Sequence, residues 1–405
     1  MQRICCELHG KELQMDIEKQ FEQLYQQKPT HRAFCPYRVC PLGAHVDHQH
    51  GLVTGFALDR GVEMLYVPTE DGAVTVHSMN YPGGVQFRVG DEVLERQYVW
   101  SDFVKGAAYA LRREFPLKRG FIGLVQGTLP VGGLSSSAAV ILTYLQALCK
   151  VNDLHLTQHE LIGQAMWEEK HYIGVNVGKL DQSCEVYCKK DHLLFLDTQD
   201  DAVKLIPAHA QMPPFEIAVI FSGIERKLAG SAYNTRVDEC KAAAYALKGF
   251  AGMDYGKFED TYLRDVPQGI FEEHKDELPT NWLKRASHFY AENERVKKGV
   301  EAWKRGDLRA FGQLVFESGY SSIHLYETGS EELKALYEIM LETEGIYGGR
   351  FSGAGFNGSS MVLVDPERKE EVAARIREKY IRRFPRLADK MSIHYCGTSD
   401  GVGRL

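Results

Sequence analysis

The chain has 405 residues, 44% hydrophobic and 25% charged, with a formal net charge of −7 at pH 7. That length can bury a large core and points to two domains, while an acidic balance without any basic block argues against a nucleic acid partner. No run reaches the roughly 18 apolar residues of a membrane helix, and "MQRICCELHGKELQ" has no secretory-type apolar core, so we expect a cytoplasmic protein with no membrane partner.

Residues 16–27 set Ile17, Phe21, Leu24 and Tyr25 at helical spacing and predict a first amphipathic helix. Prolines and glycine in "FCPYRVCPLGAHVDHQHG" then exclude a helix. Short β-like runs follow at 62–67, 73–78 and 85–89, a helix at 101–114 and a strand at 120–126. A glycine-serine segment, "PVGGLSSSAA", leads into a helix over 138–150. The next helix, 157–170, opens with a capping box of Thr157 and Glu160. His155 and His159 are four apart, as metal ligands could be, but His155 precedes the cap and no HExxH pattern is present, so the capping reading prevails. Strands are expected at 193–198 and 215–221, then helices at 229–250, 286–305, 307–318 and 330–343. A strand at 359–365, a helix at 366–382 and a strand at 391–396 close the chain. Prolines between 205 and 215 suggest a boundary, read as domains 1–208 and 209–405.

The nine cysteines are odd in number, scattered and without a CxxC pair, which suits reduced thiols. Cys5-Cys6 and Cys184/Cys188 lack partners at metal-ligand spacing. The glycine-serine segment is more telling, because it joins an apolar strand to an apolar helix rather than lying between polar flanks. A helix N-terminus carries unpaired N–H groups and about half a positive charge. Backbone amides freed by glycine, with serine hydroxyls beside them, make an anion site there, and phosphate is its natural ligand.

Two further segments accompany this one: "CPYRVCPLGAHVDH" from Cys35 to His48 and "GGRFSGAGFNG" from Gly348 to Gly358. Together the three resemble the signature motifs of the galactokinase-type sugar kinases of the GHMP kinase superfamily. The likeness extends to "GVNVGKLDQSCEVYCKKDHLLFLDT" (174–198), "GSAYNTRVDEC", "AENERV", "GDLRAFGQLVFESGYSS" and "TSDGVG". The resemblance implies a two-domain α+β GHMP kinase fold, with a ribosomal-protein-S5-like N-terminal domain and a ferredoxin-like C-terminal domain of helices and strands. It also implies ATP and Mg2+ as cofactors, a small-molecule sugar or sugar acid as partner, and a sugar 1-phosphate as product. By the same resemblance Gly132, Gly133, Leu134, Ser135, Ser136, Ser137 and Ala138 cradle the nucleotide phosphates. Ser136 and Glu169 would ligate Mg2+, one hydroxyl and one carboxylate being chemically apt for it. Asp181 corresponds to the catalytic aspartate, Arg38 to the arginine against it, and Ala44, His45, Asp47, Gly178 and Tyr233 to sugar-contacting positions.

Three departures shape the expected substrate. The family glutamate before the histidine is Ala44, and in the family that glutamate accepts a bond from the sugar's C6 hydroxyl. Two carboxylates about 4 Å apart repel by roughly 4 kcal/mol at an effective dielectric near 20, about a thousandfold in binding. A uronic acid therefore needs the glutamate gone. Lys179, His48, Arg226 and Lys227 are candidate partners for its carboxylate. The stretch "CPYRVCPLGAHVDHQHG" also resembles the plant galacturonokinases, which places galacturonate ahead of L-arabinose and galactose. The phosphate loop has one glycine fewer than the family form, and Asn357 stands where galactokinases tend to have glycine, a position asparagine tolerates. Some relatives bind sugar and ATP as sensors without phosphoryl transfer. The intact Ser135-Ser136-Ser137-Ala138 run, with Arg38, Glu169 and Asp181, favours an enzyme.

Overall fold

The computed structural model describes residues 17–92, 94–130, 132–175, 178–224, 230–254, 256–355, 358–403 and 405, side chains 230–232 excepted. A helix over 17–25 (α1) precedes β1 (His31–Val39), β2 (Leu52–Thr69), β3 (Ala73–Ser78), β4 (Gly84–Arg88) and α2 (Asp102–Arg112). Then come β5 (Gly120–Gly127), α3 (Ser136–Val151), α4 (Gln158–Trp167), α5 (Leu180–Tyr187), β6 (His192–Asp197) and β7 (Ala202–Pro207). The second half runs β8 (Glu216–Phe221), α6 (Gly230–Phe250), α7 (Gln268–His274), α8 (Thr280–Lys304), α9 (Leu308–His324) and α10 (Glu331–Leu341). It ends with β9 (Ile346–Phe351), β10 (Ser359–Val364), α11 (Lys369–Arg383), β11 (Ser392–Cys396) and β12 (Thr398–Ser399).

Eight strands form one sheet, in which β4-β3-β5-β2-β6-β7 is the main path and β1 and β12 also pair with β2. Four form a second sheet in the order β11-β8-β10-β9. The chain changes sheets between β7 and β8, and β12 returns to the first sheet by pairing Thr398 with Leu58. Only β3 and β5 run parallel among the described pairs.

The strand β1 escapes sequence reading because Pro36 sits inside it. Proline lacks a ladder donor and is tolerated where pairing is broken, and the β1–β2 register does shift between Pro36 and Arg38. Such a bulge re-aims the next side chain, here Arg38. The first half of β2 is equally hidden: residues 52–58 are buried on both faces, so no alternation marks them. The helix α3 packs Ile141, Leu142, Leu145 and Leu148 against Val39, Val62, Met64 and Val125 of the sheet. Each such side chain contributes about 1.5–3 kcal/mol on burial, which anchors the helix whose first turn carries the serines.

Thr157 accepts at 3.2 Å from the Glu160 amide, and the Glu160 carboxylate accepts at 2.8 Å from that of Thr157. The capping box is therefore real. Among the described residues no group of three or more His, Cys, Asp or Glu could hold a metal ion, and no helix is long and apolar enough to cross a membrane. The seven described cysteines are all free and buried, while Cys5 and Cys6 lie outside the described residues. Replacing Thr157 by Ala should cost about 1 kcal/mol of stability. The denaturant midpoint would fall with an unchanged slope, and Thr157→Ser should stay near the original.

Candidate active site

The bulge in β1 turns the Arg38 guanidinium inward, where it meets all three glycine-bearing segments. Its Nε and Nη2 donate to Oδ1 of Asp181 at 2.8 and 2.6 Å. Its Nη1 donates to the Gly133 carbonyl at 3.2 Å and to the Ser352 hydroxyl at 3.4 Å. Burial would lower the arginine's pKa, but the Asp181 charge outweighs it and holds the guanidinium above its ordinary value. Asp181 keeps a quarter of its side chain exposed. Both Arg38 bonds fall on Oδ1, and among the described residues none bonds Oδ2.

The second and third segments meet backbone to backbone. A Cβ on Gly133 would lie 2.8 Å from the Ser352 carbonyl oxygen, and one on Gly358 would lie 2.6 Å from the Gly132 carbonyl carbon. Nothing larger than glycine fits at this seam. Behind it Leu134 is buried and Ser135 caps α3 at φ 59° with its hydroxyl enclosed and unpartnered. Ser136, Ser137 and Ala138 form the first turn, which contains no acidic residue. Ser359 and Ser360, just past the third segment, also bury hydroxyls without partners. Buried polar atoms are normally bonded, so the enclosed Ser135 hydroxyl at a helix N-terminus marks a candidate place for a polar ligand.

The sugar-contacting positions expected from the sequence lie mainly on the loop between β1 and β2. Asp47 opens a 3-10 turn, and its Oδ2 accepts from the Leu180 amide at 3.4 Å. A Cβ at Gly178 would overlap that same oxygen, so a larger residue there would displace the Asp47 carboxylate. Burial first, then the Asp181 charge, raises Asp47 to a pKa of about 6. His45 has φ 58° and stacks on Tyr326, ring centroids 4.5 Å apart and planes within 4°. Its Nε2 is buried without a partner, and burial and Arg350 push its pKa well below the usual value. His48 bonds the Tyr326 hydroxyl at 2.9 Å, meets Tyr233 edge-on at 6.1 Å, and is lowered to about 3 chiefly by burial. Both imidazoles are therefore neutral near pH 7. Ala44 is 5% exposed and contributes only a methyl group.

Tyr326 belongs to this cluster and was missed by sequence reading, since it follows α9 in a stretch with no motif of its own. Lys179 does not join it. Its Nζ pairs with Asp201 at 2.6 and 2.8 Å, beside a cleft of about 340 Å³ that Ser183 and Tyr187 also line. Residues 179, 183 and 187 share one face of α5, away from Asp181. Arg226, Lys227 and Asn357 lie outside the described residues.

Glu169 sits in a π-helical turn, Glu168–Ile173, that follows α4. It is buried and accepts a short hydrogen bond from Gln182 on α5. Its neighbour Glu168 points the other way, against Gly106, with both oxygens unpartnered, and burial and the Glu169 charge raise it well above the carboxylate range. Only Glu169 of the two is turned toward α5. A carboxylate and a serine hydroxyl are oxygen donors of the kind a hard cation takes.

Comparison with known proteins identifies the family. Residues 102–189 match the GHMP kinases N terminal domain and residues 300–382 the GHMP kinases C terminal domain. The chain is 38% identical to the galacturonokinase of Arabidopsis thaliana over 378 residues, 88% of either chain. It is 32% identical to a galactokinase of Roseiflexus sp., covering 96% of this chain and 97% of that one. The crystal structure of Lactococcus lactis galactokinase complexed with galactose superposes with a TM-score of 0.86 at 26% identity, covering 96% and 99% of the two chains.

A test of the site's electrostatics follows. The folded pKa of Asp47, about 6, lies above its unfolded value, so its contribution to stability is fully present below about pH 4 and is lost as pH rises through 6. Asp47→Asn should therefore be more stable than the parent at pH 7.5, by about 3 kcal/mol, and close to it near pH 4. Denaturant unfolding at the two pH values checks this; an equal difference at both would remove the burial argument.

Proposed function

The chain belongs to the GHMP kinases, on their galactokinase side, and is a sugar kinase; on that premise we propose that it phosphorylates the anomeric hydroxyl of D-galacturonate, forming galacturonate 1-phosphate and ADP. The observation that carries the proposal is Ala44, a buried methyl group where the galactokinase motif has a carboxylate. The pocket then has no anion at that point to repel a substrate carboxylate, and the 38% identity to the Arabidopsis galacturonokinase supports the same acceptor.

In this reading Asp181 orients the anomeric hydroxyl and receives its proton as the hydroxyl oxygen bonds to the γ-phosphorus of ATP and the bond to the ADP oxygen breaks. Arg38 fixes Asp181 and offsets charge developing on the transferred group. Gly132 to Ala138 hold the nucleotide phosphates. Mg2+, supplied with ATP, neutralises phosphate charge, and Ser136 and Glu169 would hold it. The enclosed hydroxyl of Ser135 makes that serine a second candidate ligand. His45, Asp47, Gly178 and Tyr233 bind the sugar ring, neutral imidazole and carboxylate together offering the donors and acceptors that adjacent hydroxyls need. The free buried cysteines support work in the cytoplasm.

Purified protein with ATP and Mg2+ should release ADP with galacturonate at a kcat/KM about a hundredfold or more above that for galactose, glucuronate or L-arabinose. Ala44→Glu should reverse the preference toward galactose. A wild-type preference for L-arabinose or galactose would reduce Ala44 to an empty space and sink the uronate assignment; no turnover with any of the four, with ATP still bound, would favour a sugar sensor. Asp181→Asn should lower kcat by a factor of about 10²–10⁴ with nucleotide binding retained.

A further inference from the structure

The loop that bears Ala44 and His45 is held partly by its own turn and partly from outside. Residue 43 is a glycine at φ 97°, His45 is at φ 58°, and a left-handed backbone at a non-glycine residue persists only where its surroundings over-determine it. The surroundings here come from α8, far away in the chain. Oε1 of Glu292 accepts from the Gly43 and Ala44 amides at 2.8 and 3.3 Å. One turn earlier, Nε2 of His288 lies 2.8 Å from the Ala44 carbonyl oxygen. A carbonyl can only accept, so Nε2 carries the proton, and Nδ1 takes the Ser321 hydroxyl at 2.8 Å. The peptide groups on both sides of Ala44 are thus gripped by two residues spaced i and i+4 on one helix face.

The grip continues to the third glycine-rich segment. The Ser318 hydroxyl donates to Oε1 of Glu292 at 2.6 Å, and Nη1 of Arg350 donates to that hydroxyl oxygen at 2.8 Å. Arg350 lies on β9, two residues before the Ser352 that touches Arg38. Its Nη2 reaches Ser322 at 3.3 Å and its Nε the Phe351 carbonyl at 3.0 Å. On the far side of Glu292, Arg295 donates from Nε to Oε2 at 2.7 Å. Burial would raise the Glu292 pKa, but Arg295, His288, Arg350 and the Ser318 bond outweigh it and hold it at about 2. Burial lowers His288 to about 4, so it is neutral. The clamp is one buried carboxylate and one neutral imidazole, both fully bonded.

We propose that Glu292 and His288 are positioning residues for the acceptor: by fixing the Ala44 peptide they set where the residue-44 side chain and His45 enter the pocket, and the Ser318–Arg350 arm ties that placement to the nucleotide side. The inference rests on the reading of residues 44–47 as the acceptor loop. Ala44 has no side chain with which to place itself, and His288 and Glu292 touch backbone alone on that loop, so their effect passes through His45 and through whatever stands at position 44.

The test is a split between acceptor and nucleotide parameters. Glu292→Gln and His288→Ala should each raise the acceptor KM about tenfold while the ATP KM stays within about twofold. His288→Gln should recover most of the loss, since its amide N–H can still reach the Ala44 carbonyl. Ser318→Ala removes the hydroxyl that joins Glu292 to Arg350 but leaves the Glu292 bonds to the Gly43 and Ala44 amides, and it should raise the acceptor KM about threefold, which keeps the idea testable if a Glu292 variant does not fold. In an Ala44→Glu background, Glu292→Gln should abolish the gain toward galactose. The proposal is overturned if acceptor and ATP KM rise together, if neither moves while the melting temperature falls, or if His288→Gln behaves as His288→Ala. A wild-type preference for another sugar would count against the galacturonate assignment alone, and the same KM ratio, measured with that sugar, would still decide this inference.

Discussion

The Arg38 guanidinium is the contact on which the rest of the site depends. It is 4% exposed, and it holds the proposed catalytic carboxylate with two nitrogens while the third spans a carbonyl of the second glycine-rich segment and a hydroxyl of the third. A buried charge of this kind is costly unless every donor finds an acceptor, and loss of one partner of such a pair typically costs about 3–5 kcal/mol. The close approach of residues 132–133 to 352–353 and 358 lets those acceptors reach one guanidinium. A single side chain thereby places three distant parts of the chain at hydrogen-bonding distance.

Around that centre, charge is unevenly distributed. Asp47 and Asp181 stand on the acceptor side, and their mutual repulsion with burial raises Asp47. The imidazoles beside them, His45 and His48, are kept neutral by burial and by nearby positive groups. Glu168 and Glu185 are buried and pushed well above the carboxylate range, so they withhold charge from the same region. Lys179 lies apart from this cluster, its ammonium paired with Asp201.

Much of the fold was legible. The helices at 101–114, 138–150, 229–250 and 330–343 and the strands at 73–78, 120–126 and 215–221 all lie where periodicity puts them, within a few residues. The capping box at Thr157 was readable because its partners are three residues apart. What escaped was β1, broken by Pro36; the first half of β2, buried on both faces; β7 at a sheet edge; and β9, whose glycine pair reads as a turn. Each lacks the local alternation that marks a strand, and each is a strand because of what pairs with it.

The same division holds for the site. The sequence alone determined the chemical inventory: glycines and serines ahead of a helix, an arginine and an aspartate in separate motifs, and alanine in place of glutamate at position 44. The glycine-serine segment is a matter of residue type and spacing, and the other two are read through the resemblance to the galactokinase motifs. Only the tertiary structure decided that Arg38 and Asp181 share two hydrogen bonds across 143 positions, that Tyr326 stacks on His45, and that Glu292 and His288 shape the Ala44 peptide from the other half of the chain. The reason is physical. Those contacts are set by how two sheets and α8 pack against one loop, and nothing in the local sequence on either side of such a contact encodes its partner.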